Sequence, residues 1–258
     1  MSYQTITFNV VDGVATLALN RPEVLNGLTA GMRAEIRDAV LDAPNHGRVL
    51  VITGNGRAFC SGQDLGGSTA MTDLDLGIAL REEYEPMLRA IYDCPIPTIS
   101  AVNGVAAGAG ANLALAADVV IASESAYFLQ AFALIGLIPD AGGTYFLPRN
   151  MGFAKAMGAS LFADRIPAQQ ASDWGLIYEA VADADFVAHI AKRAASLAKG
   201  PTAGYKLIKQ AVRASFGNDL DAQLTLEADL QTEAGKTVDF VEGVSAFNEK
   251  RKPKFIGR

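Results

Sequence analysis

The segment from Pro97 to Ala117 contains no charged side chain, and this uncharged run constrains the fold more than any other part of the chain. Residues 97–102 are rich in β-branched side chains and predict a buried strand, whereas 110–117 are rich in Ala and Leu and predict a helix. A turn bearing several glycines lies between them. Because glycine adopts positive φ and the first N–H groups of a helix have no partner within it, this turn predicts a site for an anion or an oxyanion.

Two other interpretations of the uncharged run have to be considered. Its length suits a membrane-spanning helix, but Pro97, Asn103, Asn112 and the glycines are poorly tolerated in a helix that faces lipid. We therefore expect no membrane association. The second alternative is a buried strand, turn and helix that bind no ligand, and the run by itself leaves that alternative open.

Composition limits the kinds of function to be considered. The 258 residues are 50% hydrophobic and 19% charged, which predicts a globular protein with a sizeable core. The net charge of −6 disfavours general binding of nucleic acids. Cys60 and Cys94 form neither a disulfide pattern nor a zinc motif, and the first residues do not resemble a secretory signal. We therefore expect a cytoplasmic protein without a metal, and structural roles for His46 and His189.

Periodicity and turn residues divide the chain into an α/β core at 1–199 and a helical region at 200–258. The predicted elements are a hairpin of 5–10 and 14–19, a helix from Thr29 to about Leu41, a strand at 48–53, a helix at 73–92, strands at 118–122 and 125–128, helices at 151–161 and 168–174, a strand at 177–181 and helices after 200. The helical region is amphipathic, which predicts that it packs on the core or on another subunit.

Two further loops carry candidate chemistry. The loop GNGRAFCSGQDL contains a GxG but lacks the third glycine and the following helix of a dinucleotide site, so that function is disfavoured. Its residues 62–64 instead predict a second turn with exposed N–H groups. Cys60 is a nucleophile only in principle, because no histidine is close in sequence, and a small apolar filler is favoured. Asp140 follows Pro139 and precedes two glycines, where it could cap a helix or act as a base.

Six stretches of the sequence together point to a known family. LNRPEVLNGL, ITGNGRAFCSGQDL, AVNGVAAGAGANLALAAD, GLIPDAGGTYFLPR, AQQASDWGLI and EGVSAFNEKRKPKF resemble, in this order, the crotonase (enoyl-CoA hydratase/isomerase) superfamily. Within it, GLIPDAGGT and the C-terminal helices look most similar to the 1,2-epoxyphenylacetyl-CoA isomerase-like members. The resemblance implies an α/β spiral of ββα units, a C-terminal helical trimerisation region, and a homotrimer or a hexamer of two trimers.

The resemblance also implies an acyl-CoA thioester as substrate and no cofactor beyond the coenzyme A of that substrate. In this family the thioester oxygen lies between two backbone N–H groups, which match Gln63 and Ala109 here. Fixed donors of this kind stabilise an enolate oxyanion by about 3 kcal/mol each. The residues that match substrate contacts of the family are Leu25, Ala58, Ser61, Leu65, Gly108, Phe132, Phe247 and Lys250.

The sequence departs from the hydratase pattern of the family at two positions. Hydratases use two glutamates, and the matching residues here, Asn112 and Phe132, transfer no protons. Asp140 falls where isomerases of the family place an aspartate, and its apolar neighbours predict a raised pKa that suits a proton carrier. We therefore expect an acyl-CoA isomerase that acts on an enoyl or 1,2-epoxyphenylacetyl group. An enoyl-CoA hydratase that uses Asp140 and a non-catalytic acyl-CoA-binding subunit are the alternatives.

Overall fold

The structure is a computed structural model and describes residues 3–64 and 75–258. The strands in this part of the chain are β1 Ile6–Val11, β2 Val14–Leu19, β3 Val49–Gly54, β4 Ala58–Cys60, β5 Thr98–Val102, β6 Val105–Ala107, β7 Val119–Ser123, β8 Tyr127–Leu129, β9 Ile166–Pro167 and β10 Glu179–Val181. The α-helices are α1 Ala30–Asp42, α2 Leu76–Ala79, α3 Glu85–Tyr92, α4 Ala109–Leu115, α5 Gly143–Met151, α6 Phe153–Phe162, α7 Ala168–Asp173, α8 Asp183–Ala198, α9 Thr202–Ala214, α10 Leu220–Ala234 and α11 Val238–Asn248. A π-helical turn, Leu80–Tyr84, joins α2 to α3, and short 3₁₀ turns are Pro22–Val24, Ala43–Asn45 and Ala131–Ile135.

The described strands form two sheets that the chain visits alternately. The larger sheet has the order β1-β2-β3-β5-β7-β10, and the smaller has the order β4-β6-β8-β9. Strands β3, β5 and β7 each precede a strand of the smaller sheet, and helices follow each such pair. The pairing of β3 with β5 and β5 with β7 is parallel, as is that of β4 with β6 and β6 with β8. The chain thus advances by one ββα unit at a time, as expected from the resemblance.

The larger sheet is buried on both faces. One face contributes Leu17, Leu50 and Ile52 to the main core, which the helices α1, α3 and α4 cover. The other face packs Val51 and Ile99 against α8. Because both faces are covered, the parallel strands consist of nearly continuous apolar residues, and this explains why the sequence pattern identified them.

The β-hairpin and the first helix are observed where the turn residues and the N-cap residue predicted them. Asp12 and Gly13 form the two-residue turn with φ of 51° and 77°, the positive values that such a turn requires. The Thr29 hydroxyl accepts a hydrogen bond from the Met32 N–H and caps α1.

Several predicted boundaries require correction. Strand β6 lies within the turn predicted between 102 and 110, and it was missed because it has three residues and pairs with distant strands. The helix predicted at 151–161 begins at Phe153, because Gly152 with φ of 80° separates it from α5. The helix predicted from 73 begins at Leu76 with Asp75 as its cap, and 73–74 lie outside the described residues. The strands predicted at 125–128 and 177–181 are β8 and β10, each shifted toward the C-terminus.

The region 200–258 is helical where it was predicted to be, and it packs on the core. The Lys209 ammonium of α9 donates hydrogen bonds to the carbonyls of Cys94 and Ile96 at 2.5 and 2.8 Å. The final residues return to the core, where the Arg48 guanidinium donates to the Phe255 carbonyl at 3.1 Å. None of the described helices is long and apolar enough to cross a membrane. The role of this region in oligomerisation and the cytoplasmic location remain predictions.

Candidate active site

The N-terminus of α4 presents a free backbone donor. Gly108 has φ of 52°, and its carbonyl accepts hydrogen bonds from the N–H groups of Ala111 and Asn112 at 3.1 and 3.3 Å. In a trans peptide the N–H points opposite to the C=O, so the Ala109 N–H points out of the helix N-terminus. Among the described residues it has no hydrogen-bond acceptor. The dipole of the helix adds to the positive potential at this N–H.

The Gln63 turn presents a second donor beside the first. The Gly62 carbonyl accepts a hydrogen bond from the Leu28 N–H at 2.8 Å, so the Gln63 N–H of the same peptide points away from Leu28. No acceptor for it occurs in the described part of the chain. A Cβ atom on Gly62 would lie 3.4 Å from the Ala109 nitrogen and 2.8 Å from the Ala107 carbonyl oxygen. The two turns are therefore in contact, which is why residue 62 has to be glycine.

Asp140 is a partly buried carboxylate without a counter-charge. Its Oδ1 atom is buried and has no hydrogen-bond partner among the described residues. Burial raises the pKa of Asp140 to about 6. The predicted capping alternative is wrong, because α5 begins after Gly142 without a side-chain cap. The predicted cause of the raised pKa, desolvation, is confirmed, although Ile138, one of the apolar neighbours in sequence, is itself 77% exposed.

Two hydrogen-bonded amide side chains, those of Asn112 and Gln130, link the backbone of Asp140 to helix α4. The Asn112 Nδ2 atom donates to the Asp140 carbonyl at 2.8 Å, and Gln130 Nε2 donates to Asn112 Oδ1 at 2.9 Å. Asn112 lies three residues after Ala109 in α4, which is about 4.5 Å along the helix axis. The backbone of Asp140 is thus tied to the helix whose N-terminus presents the Ala109 N–H. A Cβ on Gly143 would lie 2.5 Å from Asn112 Nδ2, so the glycine permits this close approach.

Asp140 opens into a largely apolar cleft of about 830 Å³. Tyr84 and Tyr145 both line it, whereas Gln63 and Ala109 do not. Tyr84 connects the two parts, because its hydroxyl donates a hydrogen bond to the Gln63 side-chain carbonyl. The described residues that line the cleft are Leu76, Leu80, Arg81, Tyr84, Glu85, Leu88, Arg89, Tyr92, Leu137, Ile138, Pro139, Asp140, Ala141, Gly142, Thr144, Tyr145 and Phe146.

Part of the predicted substrate-binding set lies around the donors. The Leu25 carbonyl accepts a hydrogen bond from the Ser61 N–H at 3.0 Å. Ala58 is 1% exposed, and its carbonyl is bonded to the Asn26 amide at 2.9 Å. Phe132 is 7% exposed, and its ring would meet a Cβ on Gly108 at 3.9 Å.

Two described residues of the predicted set, Phe247 and Lys250, are not brought to this site, and a third member of the set cannot be placed. Leu65 lies outside the described residues. Phe247 is 83% exposed at the end of α11, and Lys250 follows it with φ of 53°. Neither of these two lines the cleft of Asp140. Their contact with coenzyme A stays a prediction.

Other candidate groups have structural surroundings. Cys60 is fully buried, and burial raises the pKa of its thiol to about 12, which favours the filler role over the nucleophile. His189 binds the Glu179 carboxylate at 2.7 Å, and His46 lies 3.3 Å from Asp42. No group of three or more His, Cys, Asp and Glu side chains within 3–64 and 75–258 could hold a metal ion.

Sequence reasoning missed four residues that support the site. Asn26 is fully buried, and its amide donates to the carbonyls of Asn55, Ala58 and Phe59. The other three are Arg33, Tyr84 as a partner of Gln63, and Gln130. The only local signal was the Asn26-Gly27 pair, a dipeptide that indicates a turn and no partner for the buried amide. The partners of the other three are distant in sequence, so no spacing indicated them.

Comparisons with known proteins agree with this fold. The family model described as enoyl-CoA hydratase/isomerase matches residues 9–258. A protein named "Probable enoyl-CoA hydratase" from Rhodobacter capsulatus is 58% identical over 258 residues and 100% of both chains. The 1,2-epoxyphenylacetyl-CoA isomerase of Escherichia coli K12 is 46% identical over 98% of both chains. The crystal structure of an enoyl-CoA hydratase from Polaromonas sp. JS666 has a TM-score of 0.91 and 31% identity, covering 97% of this chain and 99% of that one.

The chain therefore belongs to the enoyl-CoA hydratase/isomerase family. Its fold is that of the crotonase superfamily, which confirms the resemblance and the fold class expected from the sequence. Membership establishes a hydratase or isomerase acting on acyl-CoA thioesters.

Proposed function

We propose that this protein is an acyl-CoA isomerase in which the N–H groups of Gln63 and Ala109 stabilise a thioester enolate and Asp140 carries the proton. The observation that carries the proposal is the unpaired Asp140 carboxylate, whose pKa burial raises to about 6, in an apolar cleft. A base with this pKa is largely ionised at neutral pH and still returns its proton readily. This combination suits the reversible movement of one proton.

The chemistry of a 3-enoyl thioester fits these groups. The Asp140 carboxylate removes a proton from C2, and the negative charge develops on the thioester oxygen between the two N–H groups. The Asp140 carboxyl then returns the proton to C4, and the double bond moves to the 2-position. The rearrangement of a 1,2-epoxyphenylacetyl thioester also needs a single carboxylate, and the relative from E. coli supports it as the substrate.

Asn112 and Phe132 support isomerisation over ordinary hydration. Both occupy the positions that correspond to the two glutamates of the hydratases. Asn112 is fully buried, and its amide is engaged by Gln130 and by the Asp140 carbonyl. Phe132 is apolar and nearly buried. Neither side chain can activate water or deliver a proton.

Hydration is the second candidate, and the relative of 58% identity with a hydratase name favours it. In that reaction Asp140 would act alone on a water molecule. A non-catalytic acyl-CoA-binding subunit is a third possibility, and the raised pKa of Asp140 in the cleft argues against it. A desolvated carboxylate lowers the stability of the folded protein, and a role in proton transfer explains why Asp140 is present at this position.

The experiment is a product analysis of the purified protein with 3-enoyl-, 2-enoyl- and 1,2-epoxyphenylacetyl-CoA in water labelled with oxygen-18. Isomerisation predicts a rearranged product without labelled oxygen. A labelled 3-hydroxyacyl product from the 2-enoyl thioester, with no rearrangement of the other two, would establish the hydratase. If all three thioesters bind and none reacts, the protein is the binding subunit.

We further propose assembly as a homotrimer or a hexamer of two trimers. The helices after Gly200 expose large apolar side chains in the single chain, including Phe216, Leu220, Phe240 and Phe247 at 53 to 83%. Such a concentration is typical of a surface that another subunit covers. Light scattering at micromolar concentration should give three or six times the mass of 27.1 kDa. A stable monomer would contradict the assembly without affecting the proposed chemistry.

A further inference from the structure

Behind the Gln63 turn lies a buried polar network whose members are distant in sequence. Arg33 of α1 is 4% exposed, and Tyr84 at the end of the π-helical turn is 5% exposed. The guanidinium carbon of Arg33 lies 4.4 Å from the centroid of the Tyr84 ring. Glu83 neutralises the guanidinium through a salt bridge. Burial of a cation is unfavourable unless it is paired and hydrogen-bonded, so the contacts of Arg33 offset the cost of its desolvation.

Arg33 contacts the two groups that orient the Gln63 N–H, which are the Leu28 backbone and the Gln63 side chain. Arg33 Nη1 donates to the Leu28 carbonyl at 3.0 Å and to Gln63 Oε1 at 2.9 Å. Leu28 itself receives the Asp64 N–H at 3.1 Å and donates to the Gly62 carbonyl at 2.8 Å. One guanidinium thus fixes both the Leu28 carbonyl, which lies beside the turn, and the side chain of Gln63.

Tyr84 closes the network on the side of the cleft. Its hydroxyl donates to Gln63 Oε1 and accepts from Arg33 Nη1 at 3.3 Å. Burial raises the pKa of Tyr84, so the hydroxyl keeps its proton and remains a donor. The same ring lines the cleft that contains Asp140. The π-helical turn Leu80–Tyr84 ends at this residue, and π-helical turns occur frequently at functional sites.

We propose that Tyr84 and Arg33 are positioning residues that fix the Gln63 N–H for the oxyanion through the Gln63 side chain. This proposal rests on the proposed function, because it assumes that a thioester oxygen binds at this N–H. The physical basis is that a donor stabilises a developing charge only when it is aimed before the charge forms. A tethered side chain removes rotations of residue 63 that would turn its N–H away.

The test compares Tyr84→Phe, Gln63→Met and the double variant with the wild-type protein. Tyr84→Phe keeps the ring beside Arg33 and in the cleft wall but removes the hydroxyl. Gln63→Met keeps the length of the side chain and removes the strong acceptor. Tyr127→Phe is the matched control. Tyr127 belongs to β8, its ring stacks on the Arg165 guanidinium, and it does not line the cleft. Circular dichroism and thermal unfolding establish that every variant is folded.

Two readouts separate positioning from a structural role. The first is kcat and KM for the thioester that the wild-type protein converts. The second is the ionised fraction of bound 3-oxobutanoyl-CoA, a thioester whose enolate absorbs in the near ultraviolet, measured across pH. We expect Tyr84→Phe to lower kcat by about tenfold, a fraction of what loss of a whole donor costs, with KM changed by less than about twofold. The bound thioester should then ionise at higher pH than on the wild-type protein.

The double variant tests whether Tyr84 acts through Gln63. We expect Gln63→Met to produce a similar loss and the double variant to add little to either. Additive losses, or a Tyr84→Phe protein with wild-type kcat and wild-type ionisation of the bound thioester, would overturn the positioning role. If the wild-type protein itself binds the 3-oxoacyl thioester without ionising it, the proposed function fails as well. The two failures are therefore distinguishable.

Discussion

The two ends of helix α4 each lie near a partly buried aspartate, and the surroundings of these aspartates are opposite. Beyond the C-terminal end, Asp118 binds the Lys209 ammonium at 2.7 Å and the Arg213 guanidinium at 2.6 Å. Its carboxylate also accepts hydrogen bonds from the N–H and the hydroxyl of Thr98 at 2.8 and 2.9 Å. Near the N-terminal end, Asp140 has a buried oxygen without a partner in the described part of the chain.

In the proposed mechanism, one helix therefore serves stability at one end and chemistry at the other. The Asp118 carboxylate, held by two cations, links the core to α9 and leaves neither cation without a counter-charge. A carboxylate that is desolvated without a counter-charge destabilises the folded chain and binds a proton near neutral pH. The hydrogen bond from Asn112 to the Asp140 carbonyl holds the proposed proton carrier against the helix whose N-terminus carries the proposed oxyanion donor, the Ala109 N–H.

The largest effect is expected for Asp140→Asn, which should reduce turnover by about 10² to 10⁴ while thioester binding survives. The amide keeps the shape of the carboxylate but cannot carry a proton. The measurement is kcat for isomerisation together with the dissociation constant of a saturated acyl-CoA. For the wild-type protein, kcat/KM should fall about tenfold per pH unit below pH 6, because the protonated carboxyl is no longer a base.

The matched control for this prediction is Asp93→Asn, a change of the same type at a side chain that is 60% exposed. This variant should retain turnover. A folded Asp140→Asn protein with turnover within about threefold of the wild type would remove Asp140 from the mechanism. The contrast between the two ends of α4 would then be one of packing alone.

The second effect is a loss of stability in Asp118→Asn without a specific loss of chemistry. The substitution leaves Lys209, whose side chain is 10% exposed, and Arg213 without their counter-charge. Removing one partner of a buried ion pair costs about 3 kcal/mol or more. Urea unfolding at neutral pH should show this decrease in the free energy of unfolding, while kcat per folded molecule stays close to the wild-type value. A fall in kcat as large as that of Asp140→Asn would abolish the distinction between the two ends.

Much of the fold could be predicted from the sequence, because its elements are marked by local signals. The buried strand of the uncharged run is observed at Thr98–Val102 and its helix at Ala109–Leu115, within two residues of the predicted ends. Strand β6 could not be predicted, because three residues carry too little pattern and because its position depends on Gly104. A Cβ there would lie 2.3 Å from the Arg57 carbonyl oxygen, a contact between segments that sequence spacing does not indicate.

The candidate site was predictable where motifs mark it and unpredictable where long-range packing supports it. The glycine turns predicted exposed N–H groups, and the resemblance to the crotonase superfamily assigned the donors to residues 63 and 109 and the proton carrier to Asp140. A cation on an amphipathic helix normally indicates a solvated face, yet Arg33 is buried against Tyr84, fifty-one residues away. The desolvation of Asp140 was expected from its apolar neighbours in sequence, of which Phe132 is buried and Ile138 is exposed.

The smallest effect is a gain in stability of Asp140→Asn that depends on pH. In the unfolded chain Asp140 ionises near pH 3.8, whereas in the folded chain its pKa is about 6. Between these values the folded protein binds more protons, so wild-type stability decreases as pH rises through this window and the cost is fully present above pH 6. A shift of about two units corresponds to roughly 3 kcal/mol, and partial exposure of the carboxylate reduces this to about 2 kcal/mol.

The asparagine variant avoids that cost because it has no charge to bury. Its melting temperature should therefore match that of the wild-type protein near pH 4 and exceed it at pH 7.5, with the difference growing between these values and constant above. Asp93→Asn again serves as the comparison, because its side chain is exposed. A difference between Asp140→Asn and the wild type that is independent of pH would mean that the carboxylate is not desolvated in the folded protein. Asp140 would then have no desolvation cost to set it apart from Asp118, and the proposed contrast between the two ends of α4 would be lost.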